Sequence, residues 1–199
     1  FVAYTHRTTL SEGGMAVTQD AGMAAHMRRF RTHGIDSDHR SREASGAHAY
    51  DMTELGFNYR LPDVQCALGM AQLARLSGWV AARQRIAALY DEALADIAEA
   101  VPLKTHADRT NAHHLYVVKL AEHVDRDRAF ARLRAEGIGA NVHYAPVYLH
   151  SHYRKLGYPS GIAPVAEAVS KKILTLPMFP AMTGGDVARV AAALRRATA

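Results

Sequence analysis

The chain has 199 residues, 49% of them hydrophobic and 22% charged, a balance that suits a globular protein with a real core and excludes a disordered or fibrous one. Its one cysteine, Cys66, excludes an internal disulfide and a cysteine-built zinc cage and points to a reducing, cytoplasmic setting; no apolar run approaches the about 18 residues of a membrane span. The net charge of +5 comes from scattered arginines without zinc-finger, RNP or basic-zipper spacing, so it reads as a solvated basic surface with no nucleic-acid partner.

Phe1 is not an initiator methionine, and residues 1–9 (FVAYTHRTT) lack the basic-then-apolar grammar of a secretion signal, so the chain reads as part of a longer polypeptide. Gly13-Gly14 before Met15-Ala16-Val17-Thr18 predicts a turn entering a short strand. Asp20 is placed to cap a helix running to Arg31, and Gly34 to stop it. Residues 35–49 (IDSDHRSREASGAHA) are polar and aperiodic and predict a long loop.

A long helix is expected from Pro62, a residue favoured at the first helical position. Val64, Ala67, Leu68 and Ala71 fall on one face, and the spacing continues through Ile86, Leu89, Tyr90, Ala93, Leu94 and Ile97, with a break or kink at Gly78. Beyond it, residues 114–120 (HLYVVKL) predict a strand. Asp125 caps a helix that Gly137 ends, and residues 140–148 (ANVHYAPVY) predict a strand with Pro146 at its edge or exit. Pro164 opens another helix, residues 174–179 are extended, and Thr183 with Asp186 resembles a capping box for a last helix. Alternating strands and helices from about residue 112 predict a small α/β sandwich. The domain division is drawn at 1–77 and 78–199, because one strand, one helix and a loop cannot close a core by themselves.

Three groups of residues have chemical potential. Residues 8–14 (TTLSEGG) form an ordinary turn or a cradle of N–H and hydroxyl groups for an oxyanion or phosphate. Residues 55–63 (LGFNYRLPD) put Asn58 and Arg60 at the mouth of the long helix, either as capping and surface groups or as donors to an anion. Residues 142–158 gather His143, Tyr144, Tyr148, His150, His152, Tyr153 and Tyr158, flat apolar faces with polar tips that suit a packed aromatic core or recognition of a sugar or base. The first lysine of the chain is Lys104.

Together these segments resemble the DegT/StrS family of pyridoxal-phosphate (PLP) aminotransferases that act on nucleotide-linked keto-sugars. GFNYR (56–60), the following ALG and QL, and R-x-x-x-A-x-x-Y (83–90) carry the resemblance. So do GIGANVHYAPVYLHSHYRKLGY (137–158), PVAE (164–167) and ILTLPMFP (173–180), which are most similar to the branch making UDP-linked 4-amino-4,6-dideoxy sugars. The resemblance implies an α/β fold, the C-terminal half of a fold type I PLP-dependent transferase with a long linking helix and a small α/β C-terminal domain. It also implies a homodimer with active sites at the subunit interface, PLP as cofactor, and an amino-acid donor, glutamate, with a nucleotide sugar as acceptor. Asn58 would reach the cofactor phosphate with Arg60 beside it, and His143 and Tyr144 would line the sugar-nucleotide side.

One departure is central. The family pattern F-x-x-x-K-x-x-T-T-G-E-G-G has a Schiff-base lysine, and here alignment on Phe1 and Thr8-Thr9 puts Thr5 at that position, whereas alignment on Glu12-Gly13-Gly14 puts His6 there. Two anchors against one favour Thr5. Threonine offers no basic lone pair near neutral pH, and losing a proton shuttle alone costs about 10²–10⁴ in rate. The chain is therefore expected to be inactive by itself. The alternatives are a non-catalytic remnant, a sugar-nucleotide-binding module, or a PLP-dependent sugar dehydratase using His6 as its base.

Overall fold

A computed structural model describes residues 14–199. The segment holding Thr5, His6 and most of the TTLSEGG turn lies outside these residues. The chain divides into two compact units, one up to Leu76 and one from Ser77.

In the first unit α1 (Ala21–Arg31) starts where the Asp20 carboxylate accepts the Met23 N–H, and ends with Gly34 N–H returning to Arg29 O at 2.8 Å. His33 (φ 59°) and Gly34 (φ 71°) both take the left-handed conformation that reverses the chain. The expected strand at residues 15–18 is not formed: only Ala16 has bridge geometry, since an extended segment is a strand only where a neighbour takes its hydrogen bonds. The expected loop at 35–49 contains a helix, α2 (His39–Ser45), with Asp38 accepting from Ser41 N–H and Gly46 (φ 67°) closing it. A helix of seven residues is too short for a periodic signal. The two arms flanking α2 pair through bridges Ile35↔Met52 and Thr32↔Asn58.

The expected long helix is two helices, α3 (Asp63–Leu73) and α4 (Leu76–Ala93), with Pro62 as the N-cap of the first. The break falls at Ala74-Arg75 and not at Gly78, which lies inside α4 with open space around it. A helical glycine costs only about 1 kcal/mol against alanine, and α4 tolerates it. Neither Ala74 nor Arg75 is a helix breaker, and nothing local explains the break. Of the described residues up to Leu76 only Gly34 is buried, and α3 leaves Val64, Met70 and Leu73 largely exposed.

The second unit has its own core. A three-stranded antiparallel sheet runs in the order β1 (Ala100–Pro102), β2 (Tyr116–Leu120), β3 (Ile173–Leu176), with Val118 paired to Pro102 on one side and Leu174 on the other. β2 alternates strictly: Tyr116, Val118 and Leu120 are buried, Val117 half-buried, Lys119 exposed. The buried face, continued by Leu174 and Leu176, meets Tyr90 and Leu94 of α4 and its flank, Leu133 of α5 (Arg126–Ala135), and Val187 and Leu194 of α8 (Gly184–Thr198). The expected strand at 140–148 reduces to one bridge, Asn141↔Thr175, on the free edge of β3. Pro146, without an N–H, cannot extend the ladder, and the chain turns through a cis peptide at His143-Tyr144 into a 3₁₀ turn (Val147–Leu149) and α6 (Ser151–Lys155). α7 (Pro164–Ser170) precedes β3, and α8 carries the expected capping box. Among the described residues no helix is long and apolar enough to cross a membrane.

Candidate functional site

Residues 57–60 are extended, so side chains alternate between two sides. Phe57 and Tyr59 fall on one side, their rings stacked at 5.1 Å and 7°, with Phe30 of α1 edge-on to Phe57 at 5.1 Å. Asn58 and Arg60 fall on the other. Arg60 Nε donates to Asn58 Oδ1 at 3.0 Å, and Arg60 Nη2 stands 3.3 Å from His33 Nε2. A guanidinium only donates, so His33 accepts through Nε2.

Backbone bonds hold this group in register: Phe57 N–H to Phe30 O at 2.7 Å, His33 N–H to Phe57 O at 2.9 Å, Tyr59 N–H to Arg31 O at 3.0 Å. Because Nε–H of Arg60 fixes the Asn58 oxygen toward it, the Asn58 amide N–H groups point elsewhere. Among the described residues no carboxylate pairs with Arg60. The nearby Glu54 is already engaged by Arg29 Nε at 2.9 Å and His26 Nδ1 at 3.0 Å. The cluster therefore presents N–H donors whose partners among the described residues are neutral and include no carboxylate, which is anion chemistry. The sequence singled out Asn58 and Arg60 but not His33. The only trace of His33 was its place just before the helix-stopping Gly34.

The second predicted pair sits in the other unit, at the edge of β3. His143 Nδ1 lies 2.9 Å from Thr175 Oγ1 and its Nε2 lies 3.2 Å from Asn141 Nδ2. Burial, together with the neighbouring His114, holds the His143 imidazole below the ordinary histidine range. The Tyr144 ring stands edge-on to His143, centroids 4.6 Å apart at 75°, and is 67% exposed.

The remaining aromatic residues divide. Tyr148 turns toward Glu167, its hydroxyl donating to Oε1 at 2.7 Å, while Gly161 N–H donates to the same oxygen, so this pair closes the loop between α6 and α7. Tyr153 and Tyr158 stand edge-on at 6.0 Å. Two surface hollows, one bordered by Lys104, His106 and Arg109 and one by Arg28, Arg31 and Asp36, involve none of the predicted site residues.

The pattern of the DegT/DnrJ/EryC1/StrS aminotransferase family matches residues 1–195. Uncharacterized protein MJ1066 of Methanocaldococcus jannaschii is 32% identical over 197 residues, 96% of this chain and 51% of that protein. DesV of S. venezuelae, solved in complex with a ketimine intermediate, is 30% identical with a TM-score of 0.80, covering 93% of this chain and 46% of its own. The sugar aminotransferase CalS13 of Micromonospora echinospora is 25% identical with a TM-score of 0.82, covering 98% and 51%. The chain spans about half the length of the relatives it matches. Its α/β fold is the one these sugar aminotransferases share over that half, and by sequence pattern and fold together the chain belongs to the DegT/DnrJ/EryC1/StrS aminotransferase family.

Proposed function

We propose that this chain is part of a PLP-dependent aminotransferase that moves an amino group from glutamate to the keto carbon of a nucleotide-linked sugar, as a cytoplasmic homodimer. We also propose that the 199-residue chain by itself does not turn over. In this reading residues 1–77 carry the cofactor-facing share and residues 78–199 are the small domain.

The observation that carries it is the pair of donors Asn58 and Arg60, with His33 accepting from the Arg60 guanidinium. Arg60 Nη1 and the Asn58 amide N–H groups meet no carboxylate among the described residues, so they fit the oxygens of a phosphate. When bound, PLP supplies the electron sink that lets an amino group pass between carbon frameworks. The chain's own contribution is to hold. Asn58 and Arg60 grip the phosphate, and His33 keeps the Arg60 fork from swinging into solvent. In the other unit Tyr144 offers an exposed ring and hydroxyl to the nucleotide sugar. The missing function is proton transfer at the substrate carbon, which a lysine would perform and which Thr5 cannot.

The test incubates the purified chain with PLP, glutamate and a UDP-linked 4-keto-6-deoxy sugar, following 2-oxoglutarate release and the mass of the sugar product. No 2-oxoglutarate is expected. Amino transfer by the unaltered chain would overturn the inactivity. Loss of water from the sugar without amino transfer would move the reading to a dehydratase with His6 as its base.

A further inference from the structure

The bonding around His143 can be traced atom by atom. Val142 N–H donates to Asn141 Oδ1 at 2.8 Å, which fixes the amide: its oxygen faces the backbone and its NH₂ faces His143. Asn141 Nδ2, a donor, lies 3.2 Å from His143 Nε2, so Nε2 offers its lone pair. The remaining proton is on Nδ1, which donates to Thr175 Oγ1 at 2.9 Å. Asn141 and Thr175 are themselves locked together by a reciprocal backbone pair, Asn141 N–H to Thr175 O at 3.0 Å and Thr175 N–H to Asn141 O at 2.8 Å.

Thr175 is unusual in its setting. It lies in a strand whose four residues are all buried, is itself 5% exposed, and is the one polar residue there among Ile173, Leu174 and Leu176. A hydroxyl so placed costs stability unless it is bonded, and its side-chain partner is the imidazole.

We propose that Thr175 is a positioning residue for the nucleotide-sugar site: with Asn141 it holds His143 as the neutral Nδ1–H tautomer, and the braced imidazole fixes the exposed ring of Tyr144. The inference rests on the proposed function for its ligand, and it assigns the two residues of the predicted pair different tasks. Both nitrogens of His143 are engaged inside the protein, so it neither shuttles a proton nor meets the sugar nucleotide. Its ring is the wall against which Tyr144 stands edge-on at 4.6 Å. Tyr144 makes the contact. The brace supplies pre-organisation, since a ring that is already still loses less freedom when a ligand closes on it.

The test uses the full chain and two readouts. In the free protein, nitrogen-15 spectra of the imidazoles are expected to show His143 protonated at Nδ1 only. Thr175→Val removes the hydroxyl at constant shape and mixes the tautomers, and Thr175→Ser restores the single one. A mixed or Nε2–H tautomer in the unaltered chain overturns the brace without any ligand present.

In the second readout UDP-, dTDP- and GDP-linked glucose are titrated calorimetrically. Thr175→Val is expected to weaken binding of the preferred one about threefold to tenfold, with Thr175→Ser close to the unaltered chain. In a Tyr144→Ala background Thr175→Val is expected to cost nothing further, because the brace acts only through that ring. Equal costs in both backgrounds, or full affinity in Thr175→Val, overturn the inference while leaving the proposed function standing. Absence of binding to any of the three by the unaltered chain overturns both.

Discussion

Gly34 and Gly56 pass backbone against backbone: a methyl group on Gly56 would stand 2.1 Å from Gly34 N, and one on Gly34 would stand 1.7 Å from Glu54 O. This contact brings the arm carrying Phe57, Asn58 and Arg60 against the end of α1, where His33 waits. Gly34→Ala faces two costs, about 1–2 kcal/mol for a side chain at positive φ and the collision itself. Gly56 has no left-handed φ, so Gly56→Ala isolates the collision. Both are expected to speed hydrogen exchange at the His33, Thr53 and Phe57 amides, which bond to Phe57 O, Gly34 O and Phe30 O. Unchanged protection in Gly56→Ala would show that the two arms part without cost.

Tyr90 and Tyr116 stack at 4.6 Å in the core of the second unit; Tyr90 donates to Pro177 O at 2.8 Å and Tyr116 to Asp91 Oδ1 at 2.5 Å. Burial, and then the Asp186 charge, pushes the Tyr90 hydroxyl far above the ordinary range; burial, and then the bond to Asp91, does the same for Tyr116. The unfolded chain therefore releases these protons first, so their contribution is complete below a pH of about 10 and is lost as pH rises toward the raised folded values. In an alkaline titration followed by tyrosinate absorbance, these two of the nine tyrosines are expected to ionise only together with unfolding. The late step should vanish in Tyr90→Phe/Tyr116→Phe. Early ionisation of all nine would contradict their burial.

Thr183 and Asp186 close α8 reciprocally: Asp186 N–H donates to Thr183 Oγ1 at 3.2 Å and Thr183 N–H to Asp186 Oδ2 at 2.8 Å. Thr183→Ala is expected to cost about 0.5–2 kcal/mol in urea unfolding. Asp186→Ala added to it should cost less than it does alone, because both remove one motif. The bonds from Thr183 hold the Asp186 carboxyl below its usual range, so the box is complete above that range and weakens as pH falls through it.

The sequence was most informative where one residue sets one local geometry. Asp20, Asp125 and the Thr183–Asp186 box cap the helices they were expected to cap, and β2 lies within the strand expected at residues 114–120. It was least informative where a partner far along the chain decides. The three residues of β1 become a strand only because Leu120, Lys119 and Val118 lie opposite them, and residues 140–148 lose their strand because only Asn141 finds an edge to pair with. The same holds for the proposed site. Asn58, Arg60, His143 and Tyr144 could be named from motifs, but His33 lies 27 positions before Arg60 and Thr175 lies 32 after His143. No local pattern joins residues so far apart.

The Arg60 fork tests the proposed phosphate contact most directly. Its Nε is spent on Asn58 Oδ1 and one Nη faces His33, which leaves the other Nη to meet a phosphate oxygen together with the Asn58 amide. Arg60→Ala is expected to weaken PLP binding about tenfold or more, the range of a charge-assisted hydrogen bond. Arg60→Lys should recover only part of this, since an ammonium keeps the charge but cannot hold Asn58 and phosphate at once in a planar fork. Raising salt should weaken binding by the unaltered chain more than by Arg60→Ala, because the exposed charge being screened is gone from the variant. Equal salt dependence of the two, measured by quenching of intrinsic fluorescence as PLP is added, would place the phosphate elsewhere.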